Sequence, residues 1–181
     1  GWKNELSRIL MGLVTGVLLI VLGELWKGKY PKYALILSGG GVSLLYFSIF
    51  AAYQFYGLIS QTLGIFLMLI VTLATVSLSY KNKSLPLAFL GVVGAYLAPI
   101  LLHSGTDQQL ALFFYITLIN VGVFAIYKNL AWLEMLFLGL MGTAVDFILW
   151  SGRYSSAANE TTSAAFLLIN SLLFLGLAAA V

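Results

Sequence analysis

YALILSGGGVSLLYFSIFAAYQFYGLISQTLGIFLMLIVTLATVSLSY, residues 33 to 80, contains no Asp, Glu, Lys or Arg. An α-helix rises about 1.5 Å per residue, so roughly 20 apolar residues cross the hydrocarbon core of a bilayer. The stretch is long enough to cross twice, turning near Tyr56 to Ser60. The rest of the chain repeats the pattern of about twenty apolar residues followed by a few charges at the turn. Across all 181 residues, 61% are hydrophobic and 8% charged, against about 25% charged in soluble domains. A water-soluble fold cannot hide this much apolar surface.

Working outward from residues 33–80, seven spans are expected at Ser7–Trp26, Tyr33–Phe55, Gln61–Tyr80, Leu85–Leu102, Leu110–Tyr127, Ala131–Trp150 and Ser163–Val181. The fold class is therefore all-α, a polytopic transmembrane bundle of about seven antiparallel helices. Trp2, Trp26, Trp132 and Trp150 all fall at or just outside these ends, where amphipathic rings favour the headgroup level. Lys27, Lys29, Lys32, Lys81, Lys83 and Lys128 lie on one side, and Lys3, Arg8 and Arg153 on the other. The positive-inside tendency makes the first side cytoplasmic, so the loops with Lys27–Lys32, Lys81–Lys83 and Lys128 are expected inside. The chain starts at Gly1 without Met and stops at Val181 without a flanking charge. The expectation is a single transmembrane domain over residues 1–181, taken from a larger membrane protein.

The net charge of +3 is spread over helix ends, which suits anionic lipids and not nucleic acid, whose binding wants a basic face. With no cysteine, disulfides and thiolate metal sites are excluded. His103 stands alone, so bis-histidine haem and H-E-x-x-H zinc chemistry are excluded too. The last helix lacks a lysine for a retinal Schiff base. No cofactor and no metal is expected.

Two stretches resemble each other. Tyr80-Lys81-Asn82 leads to Phe89-Leu90-Gly91-Val92-Val93-Gly94 and Ile100-Leu101. Tyr127-Lys128-Asn129 leads to Phe137-Leu138-Gly139-Leu140-Met141-Gly142 and Ile148-Leu149. The tyrosines are 47 residues apart and the glycines 48, so this alignment needs one inserted residue. A helical-hairpin duplication is the expected origin, with parallel repeats. Small residues let helices approach closely in lipid, which assigns packing roles to Gly12, Gly16, Gly39, Gly40, Gly41, Gly91, Gly94, Gly139 and Gly142. Gly39-Gly40-Gly41 is not a phosphate loop, because no Gly-Lys-Ser/Thr follows.

From Gly39-Gly40-Gly41 through Leu44-Leu45-Tyr46, Ala51-Ala52-Tyr53, Tyr56-Gly57-Leu58 and Gly94-Ala95-Tyr96-Leu97-Ala98-Pro99-Ile100-Leu101-Leu102, the chain resembles a bacterial family of uncharacterised multi-pass membrane proteins, domain of unknown function 2339. The resemblance implies many spans and placement in the bacterial inner membrane. It carries over no reaction or substrate.

Polar residues inside spans are the functional candidates, because a charge at the bilayer centre costs at least about 2.5–3.5 kcal/mol. Asp146 is the one acidic residue well inside a span. The expectation for it is an interfacial link to Arg153 or a solvated carboxylate, against a binding or proton-coupling role. Asn120 and Asn170 lie mid-helix, where amides tie helices together. Pro99 removes a backbone hydrogen bond from the fourth span, and with Gly91, Gly94 and His103 it marks the outer half of that helix for a kink or break, a plain kink being commoner than a broken helix that lines a cavity. Transport or flipping of a small molecule or envelope precursor is the leading functional expectation, with Asp146, Asn120, His103, Pro99, Tyr96 and Asn170 as cavity candidates. A structural module binding other membrane-protein segments comes second. A membrane-embedded transferase using Asp107, His103 and Asp146 comes third.

Overall fold

A computed structural model describes residues 2–102, 109–154 and 160–178. Among the described residues seven helices follow one another: α1 Trp2–Trp26, α2 Pro31–Gln54, α3 Gln61–Asn82, α4 Leu85–Leu101, α5 Gln109–Leu130, α6 Leu133–Tyr154 and α7 Glu160–Ala178. No strand occurs among the described residues. Five of the helices, α1, α2, α3, α5 and α6, are long and apolar enough to cross a membrane. The apolar helix α4, with 17 residues, stands at the lower limit of about 17 for a span. The chain divides into two compact units, Gly1–Ser104 and Gly105–Val181.

The turns explain where the helices stop. Pro31 starts α2 and Pro86 lies in the first turn of α4, where a missing N–H costs nothing. Ser60 caps α3 by accepting the Leu63 amide at 3.3 Å, which satisfies one orphan donor. Gly57 takes φ +57° between α2 and α3.

In the first unit, α1 and α2 meet along a seam of small residues. A Cβ on Gly41 would lie 2.5 Å from the Gly16 carbonyl oxygen, and one on Gly16 2.8 Å from Leu45. The Gly12 and Gly23 faces lie against Ser48 and Ser38. The other faces of α1, including Leu10, Met11, Val14, Val17, Leu18 and Val21, are exposed, as suits lipid contact. Gly39 and Gly40 have open space beside them, so of the glycine triplet only Gly41 meets a neighbouring helix. Tyr46 then joins three helices. Its hydroxyl lies 2.7 Å from Thr72 Oγ1 of α3 and donates to the Gly91 carbonyl of α4 at 3.2 Å. Its ring covers Gly94 so closely that a Cβ there would collide with it.

The hairpins α3–α4 and α5–α6 are buried in the same register. Met68, Val71, Thr72 and Thr75 of α3 are buried, and so are Ile116, Ile119, Asn120 and Val123, each 48 positions later. On α4, Leu87, Gly91, Ala95, Ala98 and Leu102 are matched by Met135, Gly139, Thr143, Asp146 and Trp150 at the same offset. Gly91 faces Thr75, and Gly139 faces Val123. The two non-glycine residues with positive φ among those described, Lys83 at 47° and Ala131 at 54°, are also 48 apart and occupy the same turn. These buried pairs and the two turns share an offset of 48, so the likeness between the hairpins needs no insertion at these positions.

Gly41→Leu forces a side chain against the Gly16 backbone, which cannot rotate away. It is expected to lower unfolding stability in detergent by about 1–3 kcal/mol. Gly40→Ala, beside open space, is expected to be neutral or slightly stabilising. Parallel thermal or SDS unfolding of the two variants checks the seam.

Candidate functional site

In the second unit, α6 and α7 both lean on α5. Asn120, fully buried at the middle of α5, donates from Nδ2 to Thr143 Oγ1 of α6 at 2.7 Å and to Asn170 Oδ1 of α7 at 2.7 Å. Asn170 donates in turn to Thr117 Oγ1 at 3.3 Å and to the Phe166 carbonyl at 2.9 Å. Thr143 and Thr117 return their hydroxyl protons to the carbonyls of Gly139 and Phe113, the i−4 back-bonding usual for hydroxyls in helices. Both amides are therefore engaged in tying helices, each such bond contributing about 0.6–2 kcal/mol in a bilayer.

One turn further along α6, Asp146 continues the stripe of Met135, Gly139, Thr143 and Trp150. It is 3% exposed, and its Oδ2 has no hydrogen-bond partner. Asp146 and Arg153 form no ion pair, and Arg153 is exposed. The expectation of an interfacial salt link or a solvated carboxylate is therefore corrected: the helix phase turns Asp146 inward, and Arg153, seven residues on, stays outside. A stack of rings closes this end of the unit. Phe113 lies 4.1 Å from Phe166 and 4.9 Å from Trp150, with Phe147 about 6 Å from both Phe166 and Trp150. Asp146 thus occupies the step between a saturated amide network and an aromatic cap.

Because α6 and α7 meet α5 more than each other, an open groove of about 540 Å³ runs between them. Its walls are apolar, including Leu140, Phe147, Leu167 and Phe174, with Thr143 and Asn170 also lining it. Phe147 belongs to both the groove wall and the aromatic cap.

The remaining sequence candidates fall elsewhere. Pro99 sits in the last turn of α4, and the helix continues through it to Leu101, so no break occurs there. Tyr96 is buried in the first unit. His103 and Asp107 lie outside the described residues, and with them the convergence needed for a transferase. Gly142 is half-exposed on α6, whereas Gly139 packs against Val123 and Phe174. No set of three His, Cys, Asp or Glu residues able to hold a metal occurs among the described residues. Sequence reasoning missed Tyr46 and Gly23. The spacing of Gly12, Gly16 and Gly23 along one helix face could have revealed the latter.

Ala98, 48 residues before Asp146, is fully buried on the matching stripe of the first unit. Asp146→Ala is therefore expected to stabilise the protein by about 1–3 kcal/mol, the cost of a buried polar group left unpaired. Asn120→Leu is expected to destabilise by about 1–2 kcal/mol through loss of its interhelical bonds. Unfolding titrations of both variants in one detergent give opposite signs if the site is as described.

No curated protein and no solved structure matches the chain. The family described as a predicted membrane protein, domain of unknown function 2339, matches residues 4–181. With seven apolar helices and that match over nearly its whole length, the chain belongs to this family of membrane proteins.

Proposed function

We propose that the protein moves an amphiphilic molecule, a small molecule or envelope precursor, within or across the bacterial inner membrane, with its Lys27–Lys32, Lys81–Lys83 and Lys128 loops cytoplasmic. The observation that carries this reading is the Oδ2 of Asp146, buried and without a partner where the duplicated hairpin has Ala98. A buried carboxyl oxygen left without a partner costs stability, and an ionisable group inside a span is by default a functional one. The groove between α6 and α7 supports the same reading. It opens sideways, its walls suit an apolar chain, and it begins one turn from Asp146.

The network of Asn120, Asn170 and Thr143 then acts as a hinge pin. Its donors and acceptors are used internally, so it holds α5 in place while a ligand occupies the adjoining groove. A second reading, an assembly module that seats a helix of another membrane protein, draws on the same groove, whose lateral opening a helix face could also fill.

The test is lipid scrambling by the purified full chain in proteoliposomes, with a headgroup-labelled fluorescent phospholipid and dithionite quenching. The protein is expected to speed quenching of the inner-leaflet label, and Asp146→Asn to slow it at least about tenfold without loss of folding. Transmembrane movement that is equal in wild type and Asp146→Asn removes Asp146 from the mechanism. No acceleration by wild type, with disulfide capture of a partner helix at Leu140→Cys or Leu167→Cys, would instead establish the assembly reading.

A further inference from the structure

One end of the first unit brings together four helix termini, the ends of α1 and α3 and the starts of α2 and α4, around a cleft of about 590 Å³. Lys27, Lys81 and Lys83 line it, with Glu24 the one acidic residue among its walls. Glu24 holds two of the three ammonium groups. Its Oε2 lies 3.3 Å from Lys27 Nζ and 3.2 Å from Lys81 Nζ, while its Oε1 accepts Asn82 Nδ2 at 2.6 Å. Lys27 also donates to Asn82 Oδ1. Lys83 has no ion pair among the described residues. Three positive charges against one negative leave the cleft cationic.

The two helices that begin at the cleft both begin without a side-chain cap. Tyr30 and Ser84 hold the N-cap positions of α2 and α4, and neither side chain accepts an amide of the first turn. Helix geometry leaves the first amides without intrahelical partners. With Pro86 lacking an N–H, the free donors of α4 are those of Leu85 and Leu87. Together with the helix dipole they favour an anion. The independent observation is Ser84 itself. It lines the cleft, is 9% exposed, and its Oγ is buried without any hydrogen-bond partner. A serine at an N-cap normally spends its hydroxyl on the backbone. Here the backbone around it is already served: Ser84 N donates to the Ser79 carbonyl, and Ser79 Oγ donates to the Ser84 carbonyl at 2.8 Å. The hydroxyl is left as a donor beside a cationic cleft.

We propose that this cleft binds a phosphate group, with Lys83, Lys27 and Lys81, the Ser84 hydroxyl and the first turn of α4 as its donors. Glu24 and Asn82 hold the lysines in position when the site is empty, and a bound phosphate takes over part of the charge that Glu24 now offers. The site lies among helix ends carrying Trp26, Tyr30 and Tyr80, all exposed, which are the aromatic anchors of a headgroup layer. The phosphodiester of an anionic lipid headgroup fits that depth, and a soluble phosphate compound shares its chemistry.

Native mass spectrometry of the full chain, released from micelles with phosphatidylglycerol or phosphatidylcholine, reads the site. Wild type is expected to retain phosphatidylglycerol over phosphatidylcholine by at least about fivefold. Lys83→Asn, which tolerates the left-handed turn, and Ser84→Ala are each expected to reduce that retention. Ser84→Ala is expected to keep its melting temperature in lipid-free detergent, because the hydroxyl makes no intramolecular bond, and to lose the rise that phosphatidylglycerol gives wild type. Competition by millimolar inorganic pyrophosphate supports the site and assigns it to a soluble phosphate compound. Phosphatidylglycerol retention that pyrophosphate does not displace assigns the site to the lipid headgroup; equal retention of both lipids together with no response to pyrophosphate, or binding unchanged in both variants, would overturn it. Asp146→Asn serves as the control expected to leave lipid retention intact.

Discussion

Lipid gives a helix no reason to prefer a neighbouring helix over an acyl chain, since both are equally apolar. Association must come from close contact, from hydrogen bonds, or from both, and the two units differ in which they use. The first relies on contact. Gly12, Gly16 and Gly41 bring the α1 and α2 backbones together, and Gly94 admits the Tyr46 ring. The second relies on amides and hydroxyls, with Asn120 bonded to both Thr143 and Asn170. Contact along a glycine seam leaves little unfilled space between its helices. A network anchored at one level ties helices at that level and lets them diverge elsewhere, and a groove opens between α6 and α7.

That same property of lipid decides what the sequence could reveal. The spans were legible because charges are confined to turns, and α1 to α6 agree with expectation within a few residues. Which face of each helix is buried was not legible. Leu10 is exposed and Leu102 fully buried, yet both are leucines within apolar runs, because the outside solvent and the interior select the same residues. Polar and small residues carry the surviving signal. Asn120 and Asn170 were identified as helix ties from their depth alone. Gly39 and Gly40 looked like Gly41 in the sequence, and only the phase of α2 against α1 separates them.

The polar ends carried a different ambiguity. Glu24 beside Lys27 is a local pair that any reader of the sequence finds. Its links to Lys81 and Asn82, 57 and 58 residues away, depend on α1 and α3 ending at the same level on adjacent paths. Ser84 was invisible as a candidate because serine before a helix is ordinary. What distinguishes it is an absence of bonding that appears only once its neighbours are placed.

Set against each other at an offset of 48, the two hairpins differ in polarity along the buried stripe. Thr72, Ala95 and Ala98 in α3–α4 correspond to Asn120, Thr143 and Asp146 in α5–α6, each buried as its counterpart is. Each change adds polarity on the stripe that faces the partner helices. Two of them are explained by packing, since Asn120 bonds to Thr143 and also to Asn170 of α7. Asp146 is not, because its Oδ2 bonds to nothing. A scaffold that folds with alanine at this step has no structural need of a carboxylate there. In the first hairpin the Tyr46 ring covers Gly94, whereas in the second Leu140 and Thr143, on either side of the corresponding Gly142, line an open groove. An ionisable group and an open groove therefore occur within one turn of each other in the second unit. Stability alone would favour the neutral residue in both hairpins, and the difference supports the proposal that the second takes up a ligand.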